Sequence, residues 1–390
     1  MNRSRLFVLV LAVTGPLALA HELKAQPPSV PPMVEHADGF AIERRGELTV
    51  IQLSEPSARE LGLAEGSHRI VVVPRGVAPP ELDEDLTGAV VIVQPVARVA
   101  LNAESDEAFI HALGAAGRLV AVGGLISYND EIREAARSGR LGQLGYSWHA
   151  PPNLDVALER APDVFFMRLA SLDHAPSLAR ARRLGIPTVP VLLNAETTYL
   201  GRAEWIKFFG AILGLESEAG AIFETVKRRV LELRELVAGR ARRPAVLWAY
   251  YFGSQRWIAT VRGPYAQLLR DAGGVNPLAQ PEDPRRSSEE PVSTERLLQA
   301  GATADCWIIG DVHSVGQPST GVMDGFRSWR EGCLWGNTKR SKPDVNAYDW
   351  YETGVLRPDL VLEDLVSLLH PGLLDKEPDF FIPVARDGAP

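Results

Sequence analysis

One long, highly charged segment between two stretches of alternating strands and helices constrains the fold of this chain most strongly. Residues 216–238 carry apolar side chains three or four positions apart, which is the spacing of one face of an α-helix. This apolar face consists of Ile222, Val226, Val230, Leu233 and Val237. The remaining positions are rich in Arg, Lys and Glu, and Gly239 and Pro244 follow as stop signals. We therefore predict one long helix with solvent along one side.

Short apolar segments alternate with helical segments on both sides of this helix. The predicted strands are 96–101, 119–122, 164–167 and 188–193 before it, and 245–251 and 306–309 after it. Such alternation with short connections predicts parallel sheets covered by helices. Residues 38–95 instead contain β-branched runs and a turn at Arg45 and Gly46. The predicted fold is α/β, with two Rossmann-like lobes bridged by one long helix and preceded by a small β-rich extension.

The N-terminus is typical of an export signal. Arg3 and Arg5 precede an apolar run at 6–20, which ends in the small-x-small pattern Ala18-Leu19-Ala20. A membrane anchor is the alternative, but a spanning helix needs about 20 apolar residues. We expect cleavage after Ala20, with Ala25 as a second option, and a periplasmic location. We also expect no lipid anchor, because no cysteine lies near the signal. The predicted boundaries are 1–20 for the signal, 21–37 for a flexible leader, 38–95 for the extension, 96–215 for the first lobe, 216–240 for the bridging helix, 241–372 for the second lobe and 373–390 for a C-terminal tail.

Charge and cysteine usage narrow the classes of function. The formal net charge of −8 argues against a general nucleic-acid binder, which needs a basic surface. No segment after the signal has the length of a membrane span. The two cysteines, Cys306 and Cys333, each begin an apolar run, so adjacent parallel strands could join them in a disulfide. Two buried free thiols are the alternative. Without CxxC spacing they do not indicate a zinc site.

Candidate ligand-binding residues are those that follow the predicted strands, because ligands of open α/β sheets bind beyond the carboxyl ends of the strands. Aromatic and arginine side chains are frequent there. The candidates are Tyr128, Trp148, Arg168, Glu196, Tyr199, Tyr251, Arg256, Trp257, Arg262, His313 and Asn337. Aromatic rings offer flat contact surfaces, and arginines bind carboxylates or hydroxamates through two parallel hydrogen bonds. This lining suits a metal chelate with peripheral oxygens.

Two other chemistries remain as alternatives. A bare metal site would use His149, His174 and His313, and a chelate's metal could be capped by His313 or Tyr251, but no HxxxH or HExxH spacing is present. A secreted hydrolase would use Ser147 in a segment similar to the G-x-S-x-G nucleophile motif, in which His149 replaces the last glycine. No phosphate-binding glycine motif is present. We therefore expect no enzymatic activity and no resident cofactor.

Several short motifs resemble those of one protein class, in order and in spacing. They include Leu113-Gly114 with Val120-Ala121-Val122-Gly123, Asn153-Leu154-Asp155 with Ala161-Pro162-Asp163-Val164, Ala272-Gly273-Gly274-Val275-Asn276, and Val292-Ser293-Thr294-Glu295. Segments 200–208 and 354–362 resemble a subgroup that also carries a β-rich extension. From about Val96 to His370 the chain resembles the iron-siderophore and cobalamin class of periplasmic substrate-binding proteins.

The resemblance implies a function and a set of partners. A ferric siderophore, a corrinoid or a heme-like chelate would bind between the lobes and be delivered to the permease of an ABC importer. The protein would be a monomer, without nucleic-acid partners or direct membrane insertion. Members of the class dock through acidic lobe tips, which places candidates at Glu104 and Glu107 in the first lobe and at Asp271 and Glu282 in the second. A ligand-binding sensor for a membrane receptor is the alternative function.

Overall fold

A small mixed sheet opens the described part of the chain. The computed structural model describes residues 33–55, 59, 68–77, 84–169, 175–252, 256–283, 286–309 and 320–384. The first sheet contains, in spatial order, β1 (Phe40–Arg45), β2 (Leu48–Leu53), β3 (Arg69–Val73) and β4 (Val90–Val93). Strands β1 to β3 pair antiparallel, and β3 and β4 pair parallel. The turn between β1 and β2 contains Gly46 at φ 62°, a left-handed conformation that glycine adopts without strain.

Two buried glutamates tie the start of this region to the first lobe. The carboxylate of Glu204 accepts hydrogen bonds from the backbone N–H groups of Glu35, His36 and Ala37, at 2.6 to 3.0 Å. Glu196 accepts from the N–H groups of residues 38 and 39 at 3.0 and 2.8 Å. Each carboxylate thereby satisfies backbone donors that have no partner in a sheet.

The first lobe contains a five-stranded sheet in which every pair is parallel. Its strands are, in spatial order, β7 (Gly142–Gln143), β6 (Leu119–Val122), β5 (Val99–Leu101), β8 (Val164–Arg168) and β9 (Thr188–Val191). The helices of this lobe are α1 (Glu104–Ala112), α2 (Asp130–Arg137), α3 (Leu154–Arg160) and α4 (Ala175–Arg183). Residues of β8 and β9 are fully buried, as expected of parallel strands covered on both faces.

Two consecutive helices follow the first sheet in the sequence. Helix α5 (Tyr199–Leu213) is apolar on nearly all sides and almost entirely buried. Helix α6 (Glu216–Val237) has 22 residues and buries Phe223, Val226, Val230 and Leu233 on one face. Its bounds agree with the predicted helix at 216–238. Because α6 lies between the strands of the two lobes in the sequence, it is the segment that we predicted to bridge them.

The second lobe contains a mixed six-stranded sheet. Its strands are, in spatial order, β12 (Glu289–Val292), β11 (Arg256–Thr260), β10 (Val246–Phe252), β13 (Cys306–Ile308), β14 (Leu334–Gly336) and β17 (Ile382–Pro383). Strands β15 (Ser341–Lys342) and β16 (Ala347–Tyr348) form a separate pair. The helices are α7 (Gly263–Asp271), α8 (Thr294–Gly301), α9 (Thr320–Met323), α10 (Arg327–Glu331), α11 (Thr353–Leu356) and α12 (Pro358–Leu369).

A disulfide joins Cys306 and Cys333, whose Cα atoms lie 4.7 Å apart. Cys306 begins β13 and Cys333 directly precedes the neighbouring parallel strand β14, which brings the two side chains to the same level of the sheet. The structure thus selects the disulfide over two free thiols.

The observed architecture confirms the predicted α/β fold class. One hydrophobic core extends from Phe40 of the extension through the first lobe and α5 to Leu365 of α12, and a second core lies within the second lobe around Trp307. No helix in the described part of the chain combines the length and the apolar character that crossing a membrane requires.

Candidate functional site

A cleft of about 410 Å³ lies between the two lobes. The first lobe contributes Ala103, Glu104, Ser105, Ser147, Trp148, Arg168, Leu193, Asn194 and Arg202. The second lobe contributes Tyr250, Pro264, Tyr265, Ser287, Ser288, Glu289, Tyr351 and Val355. Several of these residues follow the carboxyl ends of β5, β8 and β9, which is where open parallel sheets bind ligands. The volume lies within the range of small-molecule sites, about 300 to 1,000 Å³.

Arg168, at the end of β8, is the best-anchored cation of the cleft wall. Its guanidinium is paired with the buried carboxylate of Asp106 and donates to Asn194 Oδ1 at 2.8 Å and to Ser105 Oγ at 3.1 Å. Burial raises the pKa of Asp106, and the Arg168 charge opposes that shift. The Nε atom of Arg168 has no partner within the described residues, so Arg168 is a rigidly held cation that keeps one free donor.

Arg202, on the first turn of α5, is the second cation of the cleft. Within the described residues its guanidinium forms no ion pair and no hydrogen bond, and its Nε atom is buried without a partner. Burial lowers the pKa of Arg202, while nearby Tyr265, Glu196 and Glu289 raise it. An arginine keeps its charge in proteins, so these donors are available to an anion.

Trp148 forms the outer aromatic part of the first-lobe wall. Its indole Nε1 donates to Glu104 Oε2 at 3.2 Å, and its ring lies 3.7 Å from the His149 ring, centroid to centroid. Gly123 allows the loop that carries it to pack closely, because a Cβ atom at position 123 would lie 2.2 Å from the Tyr146 ring. Burial raises the pKa of Glu104, and the Trp148 hydrogen bond opposes this.

The second lobe lines the cleft with tyrosines. Tyr265 stacks against Trp248 with ring centroids 5.4 Å apart and lies 5.3 Å from Trp350. The hydroxyl of Tyr250 donates to Glu289 Oε2 at 3.1 Å. These contacts fix two rings beside Arg202, so the cleft offers flat apolar surfaces next to an unpaired cation.

The structure places the sequence-predicted ligand residues in several different environments. Trp148 and Arg168 line the cleft. Tyr128 lines another cavity, under Lys342, whose Nζ lies 4.4 Å from the ring centroid. Arg256 is exposed at the start of β11, Asn337 is buried outside the cleft lining, and His313 lies outside the described residues.

Four of the predictions are corrected by the packing around the side chain. Trp257 is 3% exposed and packs on Trp307 and Phe326 in the core of the second lobe. Tyr251 packs on Trp257 at 5.1 Å, whereas its neighbour Tyr250 lines the cleft, since adjacent residues of a strand face opposite sides.

Glu196 and Tyr199 are structural in the same way. Glu196 holds residues 38 and 39, and also accepts from Trp205 Nε1 at 2.8 Å. The hydroxyl of Tyr199 donates to Asp271 Oδ2 at 2.6 Å and receives a hydrogen bond from Arg234. Neither side chain is free to contact a ligand.

Arg262 supports the cleft without lining it. Its guanidinium donates to the carbonyl of Ser287 at 2.5 Å, to that of Pro281 at 3.1 Å and to Glu290 Oε1 at 2.8 Å. Ser287 begins the Ser287–Glu289 part of the cleft wall. Arg262 is therefore a positioning residue for that wall.

The four acidic residues predicted to dock the permease also lie in different environments. Glu107 is 1% exposed, and Asp271 is bound by Tyr199 and Arg234, so neither can serve as a surface tip as predicted. Glu104 faces the cleft. Glu282 is exposed and accepts a hydrogen bond from the N–H of Gly263 at 3.0 Å.

Sequence reasoning missed Arg202 and Tyr265. Arg202 lies in segment 200–208, which carried part of the family resemblance but no chemical role. It lies in helix α5, farther from the end of β9 than the predicted residues Glu196 and Tyr199. Among the described residues, no group of three or more His, Cys, Asp or Glu side chains could hold a metal ion.

Comparisons with known proteins agree with this architecture. Residues 99–324, more than half of the 390-residue chain, match the family of periplasmic binding proteins. An uncharacterized lipoprotein from Methanocaldococcus jannaschii is 25% identical over 290 residues, which cover 72% of this chain and 67% of that protein.

Two solved structures have similar folds. A periplasmic heme-binding protein from Pseudomonas aeruginosa has a TM-score of 0.54 and 17% identity, over 73% of this chain and 97% of that chain. The apo form of the periplasmic heme-binding protein RhuT from Roseiflexus sp. RS-1 has a TM-score of 0.54 and 20% identity, over 72% of this chain and all of that chain. From the family match, the lobes and the cleft between them, we conclude that this chain belongs to the periplasmic binding protein family.

Proposed function

We propose that this protein captures an anionic metal chelate in the cleft between its lobes and delivers it to an ABC importer. Membership in the family makes the chain a solute-binding protein rather than an enzyme, with a small-molecule ligand and a permease as partners. The class of ligand is our inference. A ferric siderophore, a corrinoid and a heme-like chelate are the candidates, and the two solved structures named above are of heme-binding proteins.

The observation that carries the proposal is the unpaired guanidinium of Arg202, which lines the same cleft as the tyrosine rings of the second lobe. A buried donor without a partner is costly, so a ligand that supplies a carboxylate or hydroxamate oxygen gains from occupying it. Tyr250 and Tyr265 provide flat surfaces for the apolar part of a chelate. A purely apolar ligand would leave Arg202 unsatisfied.

Export and delivery complete the proposal. The segment 1–20 would direct the protein to the periplasm, where it acts as a monomer. Of the four acids predicted for docking, Glu282 is the one whose exposure allows contact with a permease. Helix α6 would limit closure of the lobes to small movements, because a packed 22-residue helix bends little.

The test begins with protein purified from the periplasm, studied by native mass spectrometry and visible absorption. The ligand-free protein is then titrated with heme, a corrinoid and a ferric hydroxamate, with tryptophan fluorescence as the readout. We expect one of these to bind with a Kd below about 1 µM, or about −8 kcal/mol. Failure of all three, with no co-purified chelate, would contradict the proposed ligand class.

A further inference from the structure

A second cavity, of about 790 Å³, lies where the first lobe meets residues 340–357 of the second. Helix α1 contributes Glu107 to its lining, and the segment preceding α11 contributes Glu352. The two carboxyl groups thus come from different lobes to one cavity. An ion pair between the two lobes also lies at this cavity, where Lys342 Nζ and Asp130 Oδ2 are 2.7 Å apart.

Both glutamates are buried, at 1% exposure for Glu107 and 4% for Glu352. Neither carboxylate oxygen of Glu107 accepts a well-formed hydrogen bond within the described residues, although the nearby Ser127 hydroxyl favours the charged form of this carboxyl group. Glu352 Oε1 accepts one hydrogen bond, from the N–H of Tyr128 at 2.5 Å. Two buried carboxyl groups at one site, with the Tyr128 N–H and the nearby Ser127 hydroxyl as donors, are poorly placed to carry two negative charges.

The cations near this cavity are bound to other groups. Arg340 donates to Asp349 at 2.5 Å, Arg357 binds Asp359 at 2.7 and 2.9 Å, and Lys342 donates to Asp130 and to the carbonyl of Tyr128.

The other ionisable groups that face the pair are Glu104, Asp106 and His111 on α1, Asp130, Glu131 and Arg133 on α2, Tyr146 in the loop before α3, and Asp349. Helix α6 contributes Ile222, which is apolar. Most of these charges are negative, so they oppose ionisation of the pair.

Burial raises the pKa of Glu107 well above its usual range, the Ser127 hydroxyl opposes the shift, and the charges of Glu104 and Asp106 raise the pKa further. Burial also raises the pKa of Glu352, as does the charge of Glu107. A carboxyl whose pKa is raised on folding contributes stability at low pH. That contribution is lost as the pH rises from the usual carboxyl value through the raised one.

We propose that Glu107 and Glu352 form a proton-dependent latch between the lobes. While the pair holds a proton, α1 stays packed against α11. When both carboxyl groups are ionised, their repulsion and desolvation weaken that contact. Because α1 also carries Glu104 in the cleft, loosening the latch would alter ligand binding, and this last consequence alone rests on the proposed function.

The latch is tested on the ligand-free full-length protein by hydrogen exchange. Peptides covering 104–112 and 349–357 are compared at about pH 6 and about pH 9, after correction for intrinsic exchange rates. In the wild type we expect protection to fall by about tenfold, the equivalent of one pKa unit. In the Glu107→Gln/Glu352→Gln variant, which cannot ionise at either position, protection should not change over this range.

The matched control is Glu131→Gln, which removes an exposed acid from the same cavity and should retain the wild-type pH response. Equal pH responses in the wild type and the double variant would overturn the latch. If the double variant does not fold, carbon-13 NMR of glutamate carboxyl groups in the wild type decides instead. The proposal requires that at least one carboxyl group titrates above about pH 6, well beyond the usual glutamate value. A spectrum without such a titration would also overturn the proposal. Ligand affinity is not needed for either readout.

Discussion

The two lobes contribute different chemistry to the same cleft. The first lobe supplies two arginines, Arg168 and Arg202, whereas the second supplies the rings of Tyr250, Tyr265 and Tyr351. Arg168 is held by Asp106 and neighbouring polar groups, while Arg202 has no such partner. In the function that we propose, the first lobe provides the positive charge that selects an anionic ligand together with the Trp148 ring, and the second lobe provides most of the aromatic surface.

The lobes also differ in how they are stabilised. The first has an all-parallel sheet and a buried ion pair at the cleft, and two glutamates tie it to the extension. The second has a mixed sheet and a disulfide between adjacent strands. A cross-link that closes a loop of 27 residues constrains the unfolded chain of the second lobe only.

The largest effect that we predict comes from removing the disulfide of the second lobe. Replacing both cysteines, in Cys306→Ser/Cys333→Ser, should lower the free energy of unfolding by about 3 kcal/mol. Urea unfolding measures the change in the free energy of unfolding, and hydrogen exchange measures the change in protection of each lobe. Protection should fall mainly in β13 and β14, and an equal fall in β8 and β9 would show that the lobes do not differ in this way.

The next prediction concerns the charge in the cleft. Arg202→Ala should weaken binding of the anionic chelate about 100-fold, or about 2.7 kcal/mol, because a desolvated charge pair is lost. Isothermal titration calorimetry measures the affinity. The control is Arg256→Ala, which removes an exposed arginine outside the cleft lining and should leave affinity unchanged. Equal losses in the two variants would remove Arg202 from the site.

A smaller effect is expected from the aromatic wall. Tyr265→Leu keeps an apolar side chain but removes the ring that stacks on Trp248, so affinity should fall about fivefold, or about 1 kcal/mol. The matched control is Tyr251→Leu, because Tyr251 lies on the strand face that packs against Trp257. Fluorescence titration should show no change of affinity in that variant. A larger loss in Tyr251→Leu than in Tyr265→Leu would reverse our assignment of the two faces.

The smallest effect should come from the exposed ion pair between the lobes. Lys342→Gln breaks the contact with Asp130 and should cost no more than about 1 kcal/mol of stability, because solvent screens such pairs. Thermal unfolding at low and at high salt measures it. A cost that is large and independent of salt would mean that this pair, rather than the buried carboxyl groups, holds the lobes together.

The fold could be predicted from the sequence because its signals are local. The periodic apolar face of 216–238 gave a helix that the structure places at Glu216–Val237. Alternating strands and helices indicated parallel sheets, and the structure contains them. The positions of Cys306 and Cys333 allowed a disulfide, but only the pairing of β13 with β14 decides it.

The site could be predicted only in part, because it depends on which way a side chain faces and on what its neighbours already bind. Choosing Tyr250 rather than Tyr251 as a cleft residue required knowing which face of β10 each side chain occupies. Trp257, like a ligand-binding residue, is an aromatic residue near the end of a predicted strand, but it lies in the core of the second lobe. Arg168→Ala, a natural first test from the sequence, would also leave Asp106 buried without its cation and destabilise the lobe. Arg202 is therefore the cleaner probe.

The central claim is that one ligand contacts both lobes, with Arg202 as its anchor. Hydrogen exchange with and without the bound chelate tests it most directly. We predict simultaneous protection of 101–105 and 193–202 in the first lobe and of 264–268 and 287–289 in the second, with the first-lobe protection reduced in Arg202→Ala. Protection confined to one lobe, or unchanged by loss of Arg202, would contradict the account.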